Sequence, residues 1–296
     1  MTESFRTPNR QINWTSCLDA RYRAELLALQ EAMKKFYATS LSYYADIDFA
    51  ADTWADTTQL EAQDILTEAS RHERILEVGC GKANILRSGR IDPKHYTGID
   101  FSPRLIGQNR EAWPDAAFHC IDDISCFVGD IDNCDYVFSH YVLEHCVFPN
   151  LFLDECVRAL RPGGMLSVLC PNFLGTGHMS SQRAGFSAGT GREKLARGQF
   201  WDALVTGYDN KIAIPLHAFR LRAQARERPR FFINLAPTCF SDRFSPDVDA
   251  VYLTFADEIR SHLANSIVWE PLEDSLVRYS AAHSHIYLKG RKKAAL

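Results

Sequence analysis

Glu77-Val78-Gly79-Cys80-Gly81-Lys82-Ala83-Asn84 is the stretch whose residue types and spacing can do chemistry. The short apolar run Ile75-Leu76 leads into it, so the block reads as a strand end, a glycine turn and the start of a helix. Glycine lets the backbone turn tightly and lets a ligand come closer than a Cβ would allow. A helix beginning there offers free N–H groups and the positive end of its dipole. Two phosphate-binding patterns fit badly. A dinucleotide fingerprint needs a third glycine where Asn84 stands, and the G-x-x-x-x-G-K-[ST] loop is absent. An acid two residues ahead of G-x-G suits a ligand with a cationic amino-acid end and no pyrophosphate.

The elements that must hold this block are legible around it. Residues 1–15 read as a loose tail. Residues 17–45 read as a helix, from the spacing of Leu26, Leu29, Met33, Phe36 and Tyr37, and 57–72 as a second. Short apolar runs then recur at 75–79, 96–100, 117–121, 136–139 and 165–170, with helical stretches at 102–112 and 150–160 between them. Strands alternating with helices predict a doubly wound α/β fold, mostly parallel and covered on both faces. Pro162-Gly163-Gly164 ends the second of those helices. Residues 173–211 are rich in glycine, serine and threonine, and 173–250 read as an insertion with some helix and strand of its own. A helix near 255–264 and strands near 266–270 and 283–288 complete the pattern.

With these elements in place the chain resembles the class I S-adenosylmethionine-dependent methyltransferases, closely over about 70–172 and loosely over 250–290. Their first motif is acid-x-Gly-x-Gly-x-Gly. Glu77, Gly79 and Gly81 match it, and Ala83 departs at the last position. The later landmarks follow in order at Asp100, at Asp122-Asp123, at Cys134 to His140, at Leu160-Arg161-Pro162-Gly163-Gly164 and at Cys170-Pro171-Asn172. The resemblance implies a seven-stranded sheet with a helical cap at 1–60, a core at 61–172 and 251–296, and a substrate-binding insertion at 173–250.

It implies S-adenosylmethionine as cofactor and S-adenosylhomocysteine as product. Glu77, Gly79, Cys80 and Gly81 would hold the cofactor's amino-acid end, and Asp100 both ribose hydroxyls. Phe101 would pack on the adenine edge. Asp122, ahead of Asp123, would take the adenine amino group, with the backbone of Asp123 or Ile124 serving a ring nitrogen. Ser139 and His140 fall at the carboxyl end of the fourth core strand, where α/β sheets place ligands. His140 and His145 are the candidate general bases, and each also has a structural reading. The acceptor implied is an oxygen or nitrogen of a small metabolite, specialised or sugar-derived. A non-methylating enzyme that uses the adenosyl cofactor, a silent binding module and a nicotinamide oxidoreductase are the rivals. Relatives that bind a divalent metal carry Glu-x-x-Glu-His, where this chain has Tyr141 to His145 with tyrosine first, so no metal is expected.

Composition narrows the partners. Lys and Arg number 33 against 37 Asp and Glu, a net charge of −4, which disfavours a long nucleic acid. No run approaches the roughly 20 apolar residues of a membrane span, so no membrane partner is expected. The polar beginning of the chain and an odd count of 9 cysteines without a C-x-x-C pair predict a cytoplasmic protein with reduced thiols. Arg220 to Arg230 is a basic run, read as a solvated segment or as a site for an acidic or carrier-bound substrate. Tyr43, Tyr44 and Trp54 are candidates for a roof over the site. The oligomeric state is not legible.

Overall fold

The computed structural model describes residues 14–39, 58–123, 131–176, 191–235, 237 and 249–294. Ile124, Tyr43, Tyr44, Trp54, Cys126 and Cys239 lie outside them. In chain order the elements are β1 (Trp14–Ser16), α1 (Arg23–Thr39), α2 (Leu60–Ala69), β2 (Ile75–Val78), β3 (Tyr96–Asp100), α3 (Pro103–Ala112), β4 (Ala117–Cys120) and β5 (Cys134–His140). Then follow α4 (Pro149–Ala159), β6 (Leu160–Pro171), α5 (Phe173–Thr176), α6 (Gly191–Ala196), α7 (Phe200–Tyr208), a π turn (Asp209–Ala213) and α8 (Ile214–Glu227). The chain continues through β7 (Phe232–Asn234), α9 (Ala256–His262), β8 (Ile267–Trp269), α10 (Asp274–Ala282) and β9 (His285–Lys292).

Seven strands form one sheet in the order β4-β3-β2-β5-β6-β9-β8. The first five are parallel, and β9 is antiparallel to both of its neighbours, β6 and β8, so it alone runs against the sheet. Both faces are buried because side chains alternate along each strand. On β5, Val137 enters one core while Tyr136 and Phe138 enter the other, and on β6 Leu166 and Val168 oppose Met165 and Leu169. Strand order reverses between β2 and β5. That switch point opens a crevice at the carboxyl ends of the two strands, where this architecture binds ligands.

Several expectations need correction. The glycine turn does not open an α-helix. It leads into a 3-10 helix, Asn84–Ser88, which ends at Gly89 with φ +66°. Gly89 and the nearby Pro93 leave too few residues for a full helix. The long first helix begins at Arg23, since residues 20–22 form a 3-10 turn capped by Asp19. Trp14–Ser16 is not loose tail: it pairs antiparallel with β7. A helix at α10 went unread, and the last strand extends to Lys292.

The segment 173–250 joins the core through Phe173 and Asn234, and the chain that flanks it is itself tied down. Val251 and Tyr252 N–H both donate to the Glu144 carbonyl, at 2.8 and 2.9 Å, and Asn234 N–H donates to the Val251 carbonyl at 2.7 Å. Thr254 Oγ1 donates to the Pro171 carbonyl at the end of β6 and accepts from Phe173 N–H at 3.2 Å. Behind these, α8 buries Ile214, Ala218, Leu221 and Ala225 against Phe173 and Leu174.

Candidate functional site: the switch point between β2 and β5

The glycine turn is bound to β3 from both ends. Gly79 and Cys80 N–H donate to the Ile99 carbonyl, each at 2.9 Å. Gly79 has φ +75°, and a Cβ there would lie 2.5 Å from Val142 Cγ2. Gly79→Ala is thus expected to cost about 2–3 kcal/mol through backbone strain and overpacking, read as a lower denaturant midpoint. Gly81, at φ +50°, faces open space instead, leaving room for a ligand against the backbone. Ala83 adopts φ +50° in the left-handed region, so the residue that departs from the motif still takes the glycine conformation.

Asp100 closes the turn. Its Oδ2 accepts from Gly81 N–H at 3.0 Å, and its Oδ1 accepts from Ser102 N–H at 2.9 Å. Ser102 in turn caps α3, with Pro103 as the first helical residue. Each carboxylate oxygen keeps a second acceptor position. Asn109 fixes the turn from behind by donating to the Gly81 carbonyl at 2.8 Å.

Glu77 is buried and accepts a hydrogen bond from Tyr96. Burial pushes its carboxyl up to about 8; the Tyr96 hydrogen bond opposes the shift and the Asp100 charge adds to it. Between pH 4.5 and about 8 the folded protein therefore keeps a proton that the unfolded chain has lost. Stability should fall as pH rises through that window. Glu77→Gln cannot ionise and should flatten this part of the curve, measured as denaturant midpoint against pH. An unchanged slope in the variant would show that the proton sits elsewhere. Cys80 lies beside this pair, its thiol pushed well up by burial, so it packs rather than reacts.

The remaining predicted residues separate into two groups. Phe101 lies with its ring 5.3 Å from Tyr37, and Tyr37 lies 5.7 Å from His145. His145 Nδ1 is 3.4 Å from Asp249 Oδ2, and its Nε2 is 3.7 Å from Glu144 Oε1. Tyr37 donates to Asp249 at 2.6 Å. Ser139 is buried at the end of β5, and its hydroxyl has no partner among the described residues. Desolvation lowers the His140 imidazole to about 4, aided by the nearby His285 and opposed by Glu61. Asp122 is different: it is fully exposed and pairs with Lys34 at 3.4 Å. Asp123 is half-buried beside it.

One constellation went unread in the sequence. Tyr141 follows His140 with φ +55°, a conformation costly for a tyrosine. Its hydroxyl lies 2.9 Å from His285 Nε2 and accepts from Gln59 Nε2 at 2.8 Å. His285 Nδ1 lies 3.1 Å from Glu61 Oε1, which also accepts from Ser280 at 2.8 Å. Burial raises the Glu61 carboxyl, but its hydrogen bonds outweigh this and hold it below the ordinary value. Burial pushes the Tyr141 phenol up. The only signal in the sequence was His285 in an apolar strand, and its partners stand 144 and 224 residues away.

Comparison with known proteins covers the stretch of chain that builds this crevice. Residues 76–166, from β2 into β6, match the family model described as "Methyltransferase domain". The chain carries a class I, S-adenosylmethionine-dependent methyltransferase domain. Malonyl-(acyl-carrier protein) O-methyltransferase of Enterobacter lignolyticus (strain SCF1) is 31% identical over 100 residues, 33% of this chain and 39% of that one. Trans-aconitate 2-methyltransferase of Methylobacterium nodulans is 29% identical over 125 residues, 41% of this chain and 48% of that one. The chain thus spans less than half the length of these curated relatives. Among solved structures, the putative methyltransferase in complex with the Haloferax volcanii Trm112 methyltransferase activator is 17% identical, with 86% of this chain and 96% of that chain covered and a TM-score of 0.45. The methyltransferase domain of this chain holds every predicted cofactor residue that the structure describes. Among the described residues no cluster of histidine, cysteine and carboxylate side chains has the make-up of a metal site.

Proposed function

We propose that the protein transfers a methyl group from S-adenosylmethionine to an oxygen or nitrogen of a small metabolite. One observation carries the reading: the Asp100 carboxylate is fastened by backbone amides to the Gly81 turn at the sheet's switch point. Its two spare acceptor positions suit a ribose diol, and the open face of Gly81 suits a ligand drawn close to backbone. Glu77, Gly79, Cys80 and Gly81 would hold the amino-acid end, Phe101 the adenine, and Asp123 its amino group. Asp122, turned outward to Lys34, is the weaker candidate for that contact. The bound donor supplies a methyl group already activated on a sulfonium.

What the protein adds is mainly position and the exclusion of water. A hydroxyl acceptor also needs a place for its proton. His140 suits this poorly, since at about 4 it is a weak base. His145 stands between two carboxylates near Phe101, and that placement supports it as the base. Tyr141 offers a second route. Its oxygen can take a proton from the acceptor as its own proton passes to His285 Nε2, with Glu61 steadying the imidazolium that results. Tyr141→Phe is expected to slow transfer to a hydroxyl about tenfold, low for acid–base catalysis because the sulfonium already favours departure. Affinity for S-adenosylmethionine should not change.

The insertion at 173–250 is proposed to select the acceptor. A specialised or sugar-derived metabolite fits its size, and the basic run on α8 leaves room for an acidic or carrier-bound one. Calorimetry tests the cofactor: S-adenosylmethionine and S-adenosylhomocysteine should bind and NAD should not. Release of S-adenosylhomocysteine across an acceptor panel tests the reaction. Cofactor binding without release on any acceptor would favour a silent module or a non-methylating enzyme, and NAD binding would favour an oxidoreductase.

A further inference from the structure

The helical run from Phe200 to Glu227 has two faces, one buried and one exposed among the described residues. Ala203, Thr206 and Asp209 are buried before and at the π turn, and Ile214, Ala218, Leu221 and Ala225 after it. Across the turn the interval between buried residues is five rather than three or four. One extra residue is what a π turn inserts, so the buried face stays in line over the whole run. The outer face crosses the turn at an ordinary interval of four, from Tyr208 to Ile212. It carries Trp201, Leu204, Tyr208, Ile212, Leu216 and Phe219, all between 48% and 62% exposed. This is a continuous apolar ridge on a helical run roughly 40 Å long. Scattered surface hydrophobes are ordinary, but a contiguous ridge of six marks a binding surface.

Charge says what binds there. Residues 191–230 hold nine Lys and Arg against four Asp and Glu, in a chain whose net charge is −4. Arg192, Arg197, Lys211 and Arg220 are exposed on or beside the run. We propose that this ridge docks the protein on an anionic lipid surface, with the aromatic and aliphatic side chains entering the headgroup region and the cations meeting lipid phosphates. Trp, Phe and Leu on one side with Lys and Arg around them is the composition of a helix that lies in a membrane interface. No helix of the described residues is long and apolar enough to cross a membrane, so the contact is one of lying on the surface. A second copy fits worse. A two-fold contact sets the patch against a copy of itself, so the basic excess of 191–230 would face the same excess. A protein partner fits worse as well, because one convex helix needs a matching groove whereas headgroups adapt to it. A membrane partner of this kind needs no apolar span in the sequence, only an apolar helix face. The ridge residues recur every three or four positions, but which side of such a run faces outward is decided by packing.

The test is flotation of the full chain with vesicles of phosphatidylcholine alone or with about a third phosphatidylglycerol, at low and high salt. Binding should be at least about tenfold stronger to the anionic vesicles and should fall with salt. Trp201→Glu with Phe219→Glu should abolish it, and Lys211→Glu with Arg220→Glu should weaken it toward the neutral-vesicle level. All four residues are exposed, so the variants should keep the melting temperature and S-adenosylmethionine binding of the parent protein. Tryptophan emission should shift to the blue on vesicles, and the shift should shrink in Trp201→Phe. A protein that binds S-adenosylmethionine yet stays off both kinds of vesicle overturns the proposal. So does a dimer that Trp201→Glu dissociates, or vesicle binding that survives loss of the ridge. Because the cofactor site is measured separately, failure here leaves the methyltransferase reading standing.

Discussion

Asp100→Ala is expected to weaken S-adenosylmethionine binding by roughly 100-fold or more, about 3 kcal/mol. The carboxylate would give the ribose two charge-assisted hydrogen bonds, the strong kind, in a place where water is scarce. It also has a second task. Its oxygens hold Gly81 N–H and Ser102 N–H, so its loss loosens the glycine turn and the cap of α3 together. Asp100→Asn is not a gentle control. One amide oxygen can replace one carboxylate oxygen, but the amide nitrogen then points a donor at a backbone donor. The Asn variant should therefore bind nearly as poorly as the Ala variant. Calorimetry beside a thermal melt separates the two effects. A variant that still melts cooperatively and binds within about threefold of the parent would remove Asp100 from the ribose site.

The second large effect concerns stability rather than binding. Glu258 on α9 is fully buried and accepts three hydrogen bonds: from Arg230 N–H at 2.6 Å, from Phe231 N–H at 2.8 Å and from the Tyr252 hydroxyl at 2.8 Å. It joins the end of the inserted segment to the strand-like stretch after it and to α9. Phe231 sits there with φ +51°, so its backbone is strained as well as tied. Glu258→Ala is expected to cost about 3–5 kcal/mol, because three buried donors lose their acceptor at once. Glu258→Gln keeps an acceptor for the two amides and should cost much less. Denaturant unfolding of both variants decides it. Equal losses would mean that side-chain volume, not hydrogen bonding, is what Glu258 supplies. Burial raises the Glu258 carboxyl, against the hydrogen bonds from Arg230, Phe231 and Tyr252. Its proton should thus bind more tightly in the folded chain than in the unfolded one, and its ionised form weakens stability as pH rises.

The two sites differ in how visible they are in the sequence. Glu77, Gly79, Gly81 and Asp100 could be read because the turn needs glycine for backbone reasons and the acid must end a strand. Those are local rules that leave a local mark. Ala83 shows the limit of such a mark: the residue type departs while the backbone keeps the left-handed conformation. Glu258 left none, since a buried acid on a helix looks like a solvated one until its donors arrive from Arg230, Phe231 and Tyr252.

The sequence by itself determined the alternation of strands and helices, the two-sided burial of the sheet and the glycine turn beside an acid. Each follows from side-chain period or backbone freedom over a few residues. Tertiary structure alone decided that Trp14–Ser16 pairs with Phe232–Asn234, and that Glu61, Tyr141 and His285 meet in one hydrogen-bonded chain. It also decided that the apolar face from Trp201 to Phe219 points outward while the face from Ala203 to Leu221 is buried. Contacts between residues more than a hundred positions apart carry no period, and a helical period alone does not say which of two apolar faces the fold will bury.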